Sequence, residues 1–250
     1  MEMVFQQDVT VQAGDVNEYG SMKLSAVLHY IQEVSGGHSD RLGFSWNALA
    51  EKGLFWAVLR HRVVIHRLPA AGQTVHLETW PMPAARAAYP RAVRATDSSG
   101  NVLFEAVSLW VLMNTQSRAM VLPSRSGVDV PGILRGIEPE SPSSLPPANG
   151  ENSSLWRVSP EDLDINGHVN NAKYLDYVEA LPENAALTAQ DLTVCYLAEV
   201  LPSQQITLKH SLSEDGVLTV DGIRSCGDDP AKTERVFAVK LCCSVNQQKL

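Results

Sequence analysis

Apolar positions in this chain switch between two periods, and the switches mark out its elements. Phe5 to Val11 alternates with polar residues and predicts a short strand, followed by a turn at Asp15-Val16-Asn17-Glu18-Tyr19-Gly20. From Ser21, a residue suited to an N-cap, Leu24, Val27, Leu28, Ile31 and Val34 recur at intervals of three and four. This predicts the most apolar helix of the chain, stopping at Gly36-Gly37. A short helix is expected near Trp46 to Lys52. The pattern then turns β-branched, with strands predicted at Leu54 to Leu68, Gln73 to Trp80, Tyr89 to Thr96 and Val102 to Asn114. One helix followed by antiparallel strands describes an α+β layer in which a sheet wraps a single helix.

Between Leu122 and Ser154 the composition shifts to Pro, Ser, Gly and Glu, as in Pro139-Glu140-Ser141-Pro142-Ser143-Ser144-Leu145-Pro146-Pro147. This reads as a partly extended linker over the surface, dividing the chain into domains at 1–121 and 155–250 around a linker at 122–154. The second half then repeats the order of the first. A strand is predicted at Trp156 to Ser159, a turn at Asp164 to His168 and a helix at Asn171 to Leu181. Further strands follow at Leu192 to Leu201, Ile206 to Leu212, Val217 to Arg224 and Glu234 to Val245. This is an internal duplication. Its register sets Asp15-Val16-Asn17-Glu18-Tyr19 opposite Asp164-Ile165-Asn166-Gly167-His168 and Leu68-Pro69 opposite Leu201-Pro202, so Tyr19 faces His168 and His66 faces Glu199.

Composition adds bounds. With 250 residues and 44% apolar content, the chain has ample material for one large or two moderate cores. A formal charge of −8 argues against a general nucleic-acid or anionic-membrane surface. No apolar run is long enough for a membrane span, and the first twenty residues lack the basic and apolar regions of a signal peptide, so a cytoplasmic protein is expected. Cys195, Cys226, Cys242 and Cys243 form no C-x-x-C pair and read as free thiols in apolar strands rather than zinc ligands or disulfides.

Candidate chemistry concentrates in Asp164-Ile165-Asn166-Gly167-His168-Val169-Asn170-Asn171. In an extended segment Asp164, Asn166 and His168 would share one side, just ahead of a helix start whose N–H groups could receive a carbonyl oxygen as it turns negative. The same residues are also what an ordinary turn uses, with Asn166-Gly167 a hairpin signal and Asn170 a common N-cap. The repeat bears on the choice, because the imidazole appears in one copy alone. Glu199, an acidic residue within an apolar strand pattern, is a fourth candidate.

With these residues in view, the sequence resembles the acyl-[acyl carrier protein] thioesterase family over nearly its whole length. The resemblance rests on Trp56-Ala57-Val58-Leu59-Arg60, Ile65-His66-Arg67-Leu68-Pro69, Glu78-Thr79-Trp80, Ser108-Leu109-Trp110-Val111-Leu112-Met113 and the block from Asp164 to Tyr174. It implies two tandem hotdog domains, each a long helix wrapped by a curved antiparallel sheet, packed as a pseudo-dimer. It also implies hydrolysis of the thioester between a fatty acyl chain and the phosphopantetheine arm of acyl carrier protein, with the acyl chain held mainly by the first domain. The site residues it carries over are Asp164, Asn166, His168 and Glu199. Where plant members have a cysteine directly after that Glu, this chain has Val200, and Cys195 does not match the motif, although its spacing lets it face the same side as Glu199. A Cys–His mechanism is therefore disfavoured.

On this reading the helix start at Asn171 takes the oxyanion, Glu199 or Asp164 activates water, Asn166 and His168 orient it, and neither metal nor organic cofactor is required. The acidic carrier protein calls for a local basic patch, for which Arg60, Arg62, Arg67, Arg86, Arg91, Arg94 and Lys173 are candidates. Chain length depends on how Met22, Leu28 and Trp56 fill the pocket. A homodimer is left open, since the duplication already supplies the pairing of two hotdogs. The rival functions are a coenzyme A thioesterase of the same fold and a non-catalytic acyl-binding module.

Overall fold

The computed structural model describes residues 2–148, 150, 152–164, 167–183, 187–226 and 229–245. Its contacts divide the chain into two units. The first comprises Met1–Met22 with His29–Pro142, and the second Lys23–Leu28 with Ser143–Leu250. Among the described residues no helix is long and apolar enough to cross a membrane.

In the first unit, strands β1 (Phe5–Thr10), β2 (Leu54–Ile65), β3 (Thr74–Pro81), β4 (Tyr89–Thr96) and β5 (Val102–Asn114) pair antiparallel in the order β1-β3-β4-β5-β2, with β6 (Met120–Val121) on β5. These strands lie within a residue or three of their predicted bounds, because β-branched runs between Pro and Gly corners leave little freedom in placement. Helix α1 (Leu24–Arg41), whose first residues Leu24–Leu28 belong to the second unit, and α2 (Trp46–Ala50) precede β2, and α3 (Pro123–Ser126) follows β6.

Two helix-end expectations change. Ser21 bridges to Ala70 instead of capping, and α1 begins at Leu24. The helix also runs straight through Gly36-Gly37 to Arg41, and the chain turns at Gly43, where φ is 86°. Two glycines cost a helix only about 1 kcal/mol each. Continuing it buries His38 and brings Gly37 against the Phe5 ring, so tertiary contact overrides the local stop signal.

The Pro-rich linker is less detached than its composition suggests. Val128 and Val130 are buried with Leu49, Leu54, Tyr89 and Leu112, while Ile133 and Ile137 pack against Trp80. The Trp80 indole donates to Glu138 at 2.8 Å. A few apolar residues spaced among the prolines are enough to dock the segment on the first unit.

The second unit repeats the topology. Strands β7 (Asn152–Arg157), β8 (Leu187–Tyr196), β9 (Gln205–Leu212), β10 (Val217–Cys226) and β11 (Asp229–Val245) pair antiparallel in the order β8-β11-β10-β9-β7. Helix α4 (Lys173–Glu179) is shorter than predicted. It ends before Leu181-Pro182, a dipeptide whose first residue is steered away from the helical region. An aromatic cluster seats it: Trp156 of β7 stacks on Tyr177 at 4.0 Å, and Tyr174 meets Phe237 of β11 at 4.7 Å. Gly222 makes room for that cluster, since a Cβ there would lie 2.0 Å from the Phe237 ring. Of the cysteines, Cys195 and Cys243 are buried and Cys242 partly so, all three free; the Cys226 side chain lies outside the described atoms.

Candidate active site

The segment from Ser159 to Lys173 is fastened at both ends before it presents any chemistry. Asp162, buried in a short 3-10 turn (Pro160–Asp162), accepts from Ser159 N at 2.7 Å and from the Tyr177 hydroxyl at 2.8 Å. That tyrosine's pKa is pushed up to about 12, by burial first and then by the Asp162 carboxylate. Leu163 and Val169 form a bridge, and between them the chain closes a tight loop. Asp164 N donates to His168 O at 2.8 Å, Gly167 N to Asp164 O at 3.0 Å and His168 N to Asp164 Oδ1 at 3.2 Å. Gly167, at φ 75°, supplies the left-handed step. Asp164 and His168 are thus not alternate residues of an extended strand, and the Asp164 carboxylate helps shape the turn. Asn166 lies outside the described residues.

The same loop occurs in the first unit, and it corrects the register of the duplication. Asn17 N donates to Ser21 O at 2.8 Å, Gly20 N to Asn17 O at 2.9 Å and Ser21 N to Asn17 Oδ1 at 3.1 Å, with Gly20 at φ 76°. Ahead of it Asp15 accepts from Gln12 N at 2.9 Å and from the Tyr30 hydroxyl at 2.6 Å. Asp164 therefore corresponds to Asn17, Asn166 to Tyr19 and His168 to Ser21, two positions away from the pairing expected from Asp-x-Asn. The Asp15/Tyr30 and Asp162/Tyr177 pairs, each separated by the same interval, carried the correct register in the sequence.

Glu199 arrives by a second repeated connection. Strand β8 stops at Tyr196, so Glu199 sits in an exposed segment beyond the strand and not within it. Leu197 N and Ala198 N both donate to Val236 O, as His66 N and Arg67 N both donate to Leu103 O, which sets Glu199 opposite Leu68 and not His66. Val169 N then donates to Val200 O at 2.9 Å, tying this segment to the loop. Through that tie His168 Nε2 approaches Glu199 Oε2 at 3.6 Å. The distance suits charge interaction but exceeds a direct hydrogen bond. At both positions the other repeat carries a residue without comparable chemistry, Ser21 and Leu68.

Sequence reasoning overlooked the groups that hold Glu199 in place. Arg224 NH1 donates to the Glu199 backbone carbonyl at 2.6 Å, while Nε and NH2 grip Glu234 at 2.9 and 2.5 Å. No sequence proximity links Arg224 to Glu199, because only strand pairing joins them. Tyr174, its pKa raised mainly by burial, receives the Val200 N–H, and the Tyr196 hydroxyl donates to Asn171 O at 2.9 Å. Cys195 is buried, its Sγ donating to Ser143 O at 3.6 Å, and so does not join Glu199.

Two of the N–H groups at the expected oxyanion site already have partners. Ala172 N donates to Asn170 Oδ1 and Lys173 N to Asn170 O, both at 2.9 Å, so these N–H groups are spent within the turn. Helix α4 begins after Ala172, two residues later than predicted.

Elsewhere, most candidate docking cations are engaged. Arg62 pairs with Glu140, Arg67 with Asp97, Arg94 with Glu105 and Lys173 with Asp176, while Arg91 is buried. A cavity of about 220 Å³ lies in the first unit, lined in part by Trp56, Tyr89 and Trp110. Met22 and Leu28 are buried, but neither is part of its lining. Among the described residues no cluster of His, Cys, Asp and Glu is placed to hold a metal ion.

Comparison with known proteins agrees over both units. The acyl-ACP thioesterase N-terminal domain family matches residues 2–122 and the acyl-ACP thioesterase C-terminal domain family residues 147–238. A palmitoyl-acyl carrier protein thioesterase of Gossypium hirsutum is 27% identical over 86% of this chain and 57% of its own. A dodecanoyl-[acyl-carrier-protein] hydrolase of Cinnamomum camphora is 25% identical over 86% of this chain and 62% of its own. The chain spans about half the length of the first curated relatives it matches. In fold, it is similar to an acyl-ACP thioesterase structure from Bacteroides thetaiotaomicron, with a TM-score of 0.83, 19% identity and coverage of 97% and 98% of the two chains. It is similar as well to the 12:0-ACP thioesterase of Umbellularia californica, with a TM-score of 0.78, 22% identity and 98% of each chain covered. These likenesses establish the double-hotdog fold.

Proposed function

The chain belongs to the acyl-ACP thioesterase family, and from that premise we propose that it hydrolyses fatty acyl-[acyl carrier protein] thioesters to free fatty acid, with His168 and Glu199 as the reacting pair. The observation that carries this reading is the 3.6 Å approach of His168 Nε2 to Glu199 Oε2 on two repeated loops whose other copies hold Ser21 and Leu68. A water seated by both side chains gives a proton to Glu199 as its oxygen bonds to the thioester carbonyl carbon. Collapse of the tetrahedral intermediate breaks the C–S bond, and the thiol leaves with that proton. His168 orients the water and stabilises the charge on Glu199. Asp164 acts as a positioning residue through the His168 N–H, and Asn166 as the amide that polarises the carbonyl. General-base catalysis of this kind contributes on the order of 10²- to 10⁴-fold.

Free fatty acid release from a ladder of acyl carrier protein thioesters, with matched coenzyme A esters alongside, tests the reading. His168→Ala and Glu199→Gln should each lower kcat on carrier-bound substrate by at least about 10²-fold with the fold intact. Full activity in both variants would remove the pair from the mechanism. Faster turnover of the coenzyme A esters would reassign the substrate.

A further inference from the structure

Away from His168 and Glu199, the second unit gathers a serine, a histidine and a carboxylate that the proposed reaction does not use. Ser154 lies on β7, His210 on β9 and Glu183 just after α4. Ser154 Oγ is 3.2 Å from His210 Nε2, and His210 Nδ1 is 3.1 Å from Glu183 Oε1. The second contact is within ion-pair reach but off the line of a hydrogen bond, a looseness common among catalytic groups without substrate. An ionised carboxylate accepts and does not donate, so the imidazole proton belongs on Nδ1 and Nε2 is left as acceptor for the serine hydroxyl. Asn152 Nδ2 donates to the same Glu183 oxygen at 3.0 Å, which holds the carboxylate against the ring. His210 is 3% exposed while Ser154 is half-buried, so the base is shielded and the nucleophile stands nearer the surface.

The strand places donors beside that hydroxyl. The β7–β9 register sets Ser154 opposite Leu208, and Val158 N donates to Gln204 O at 3.1 Å in the same register. Antiparallel ladders alternate in bonding direction, so the even-numbered residues of β7 bond to β9 and the Ser153 and Leu155 N–H groups point the other way. β7 ends the sheet, and no described strand pairs with that edge. The N–H that follows a nucleophilic serine is placed to receive an acyl oxygen as it turns negative, and here it belongs to the exposed Leu155. The duplication supplies a comparison. Val11 N donates to Gln73 O as Val158 N does to Gln204 O, which sets Ser154 opposite Gln7 and His210 opposite Thr79. Gln7 is no nucleophile and Thr79 no base, so the first copy keeps the strands without the chemistry.

We propose that Ser154, His210 and Glu183 form a second acyl-transfer site, which takes short acyl esters or thioesters at the free edge of β7. Ser154 Oγ bonds to the carbonyl carbon as its proton passes to His210 Nε2, with Glu183 stabilising the imidazolium and Leu155 N–H the oxyanion. The C–O or C–S bond then breaks, and the departing alcohol or thiol takes that proton. Water attacks the acyl-serine by the same route, giving a proton to Nε2, which returns it to Ser154 Oγ as the carboxylic acid leaves. A sheet edge offers little enclosing surface to a long chain, which is why the acyl group is short. A fluorophosphonate probe and p-nitrophenyl acetate test the site on the full chain. The probe should attach to Ser154, located by peptide mass spectrometry, and ester hydrolysis should open with a burst of about one equivalent of nitrophenol as the acyl-enzyme fills. Ser154→Ala, checked for an unchanged Tm, should abolish the burst and lower ester turnover by at least about 10²-fold, while fatty acid release from carrier thioesters stays as in the parent. Glu183→Gln should slow the labelling of Ser154. Labelling is read on the parent protein, so it does not depend on any variant folding. The proposal is overturned if Ser154 stays unmodified there, or if parent and Ser154→Ala hydrolyse the ester equally fast.

Discussion

Glu179, the last residue of α4, accepts the Leu24 N–H at 2.9 Å in the second unit and so does the capping work expected of Ser21. Burial pushes its pKa up to about 7, against the opposing pull of the Leu24 and Ser25 N–H groups and Lys23. Because the folded value is raised above that of the unfolded chain, folding favours the neutral carboxyl. Its contribution is complete below about pH 4.5 and is lost as the pH rises through about 7. The effect is no more than about 3 kcal/mol. Thermal unfolding should show Tm falling between pH 5 and pH 8 in the parent protein, and Glu179→Gln should flatten that fall by several degrees; parallel curves would detach Glu179 from the pH dependence. At this scale His168 and Glu199 were legible as residue types. Their partnership was not, since one sits on a loop and the other beyond a strand, joined through the Val169–Val200 hydrogen bond.

Among elements, the paired loops are the most informative. The carboxylate at Asp164 and the amide at Asn17 accept the same backbone N–H, so that position is kept for turn geometry, whereas Ser21/His168 and Leu68/Glu199 differ in chemistry. The Glu199 segment needs its own anchor, and Arg224→Met should release it. A misplacement of about 1 Å near reacting groups costs on the order of 10²-fold. The expected result is therefore a kcat loss approaching that size with KM and Tm little changed, since an ion pair half open to water adds little stability. Partial recovery in Arg224→Lys would mark positioning as the cause. The β10–β11 pairing sets a second constraint. Gly222→Ala puts a methyl group into the Phe237 ring and should destabilise the protein by about 1–3 kcal/mol, read from denaturant unfolding. An unchanged midpoint would show that the ring can move without cost.

Over the whole molecule the charge of −8 works against an acidic partner, and Arg62, Arg67, Arg94 and Arg135 of the first unit are paired with carboxylates. Of the candidate cations, Arg60 and Arg86 have no ion pair among the described residues, and under the proposed function they are the ones offered for docking a carrier. Reversing both to Glu should raise KM for acyl carrier protein substrates and weaken its dependence on salt, while leaving turnover of a short pantetheine thioester unaltered. Equal KM values for parent and double variant would place docking elsewhere.

Periodicity and corner residues by themselves determined the α+β class, the strand bounds and the existence of a duplication, because alternation, β-branching and Pro/Gly punctuation act over a few neighbouring residues. The block around His168 and the isolated Glu199 could be picked out as candidates from residue type and position. Tertiary structure decided the rest. It carried α1 through two glycines, shifted the register of the repeat, moved Glu199 out of its strand and brought Arg224 to it. It also used the Ala172 and Lys173 N–H groups within the turn ahead of α4. Each of these depends on contacts between residues far apart in the chain, whose energies of a few kcal/mol exceed the local preferences that a sequence pattern records.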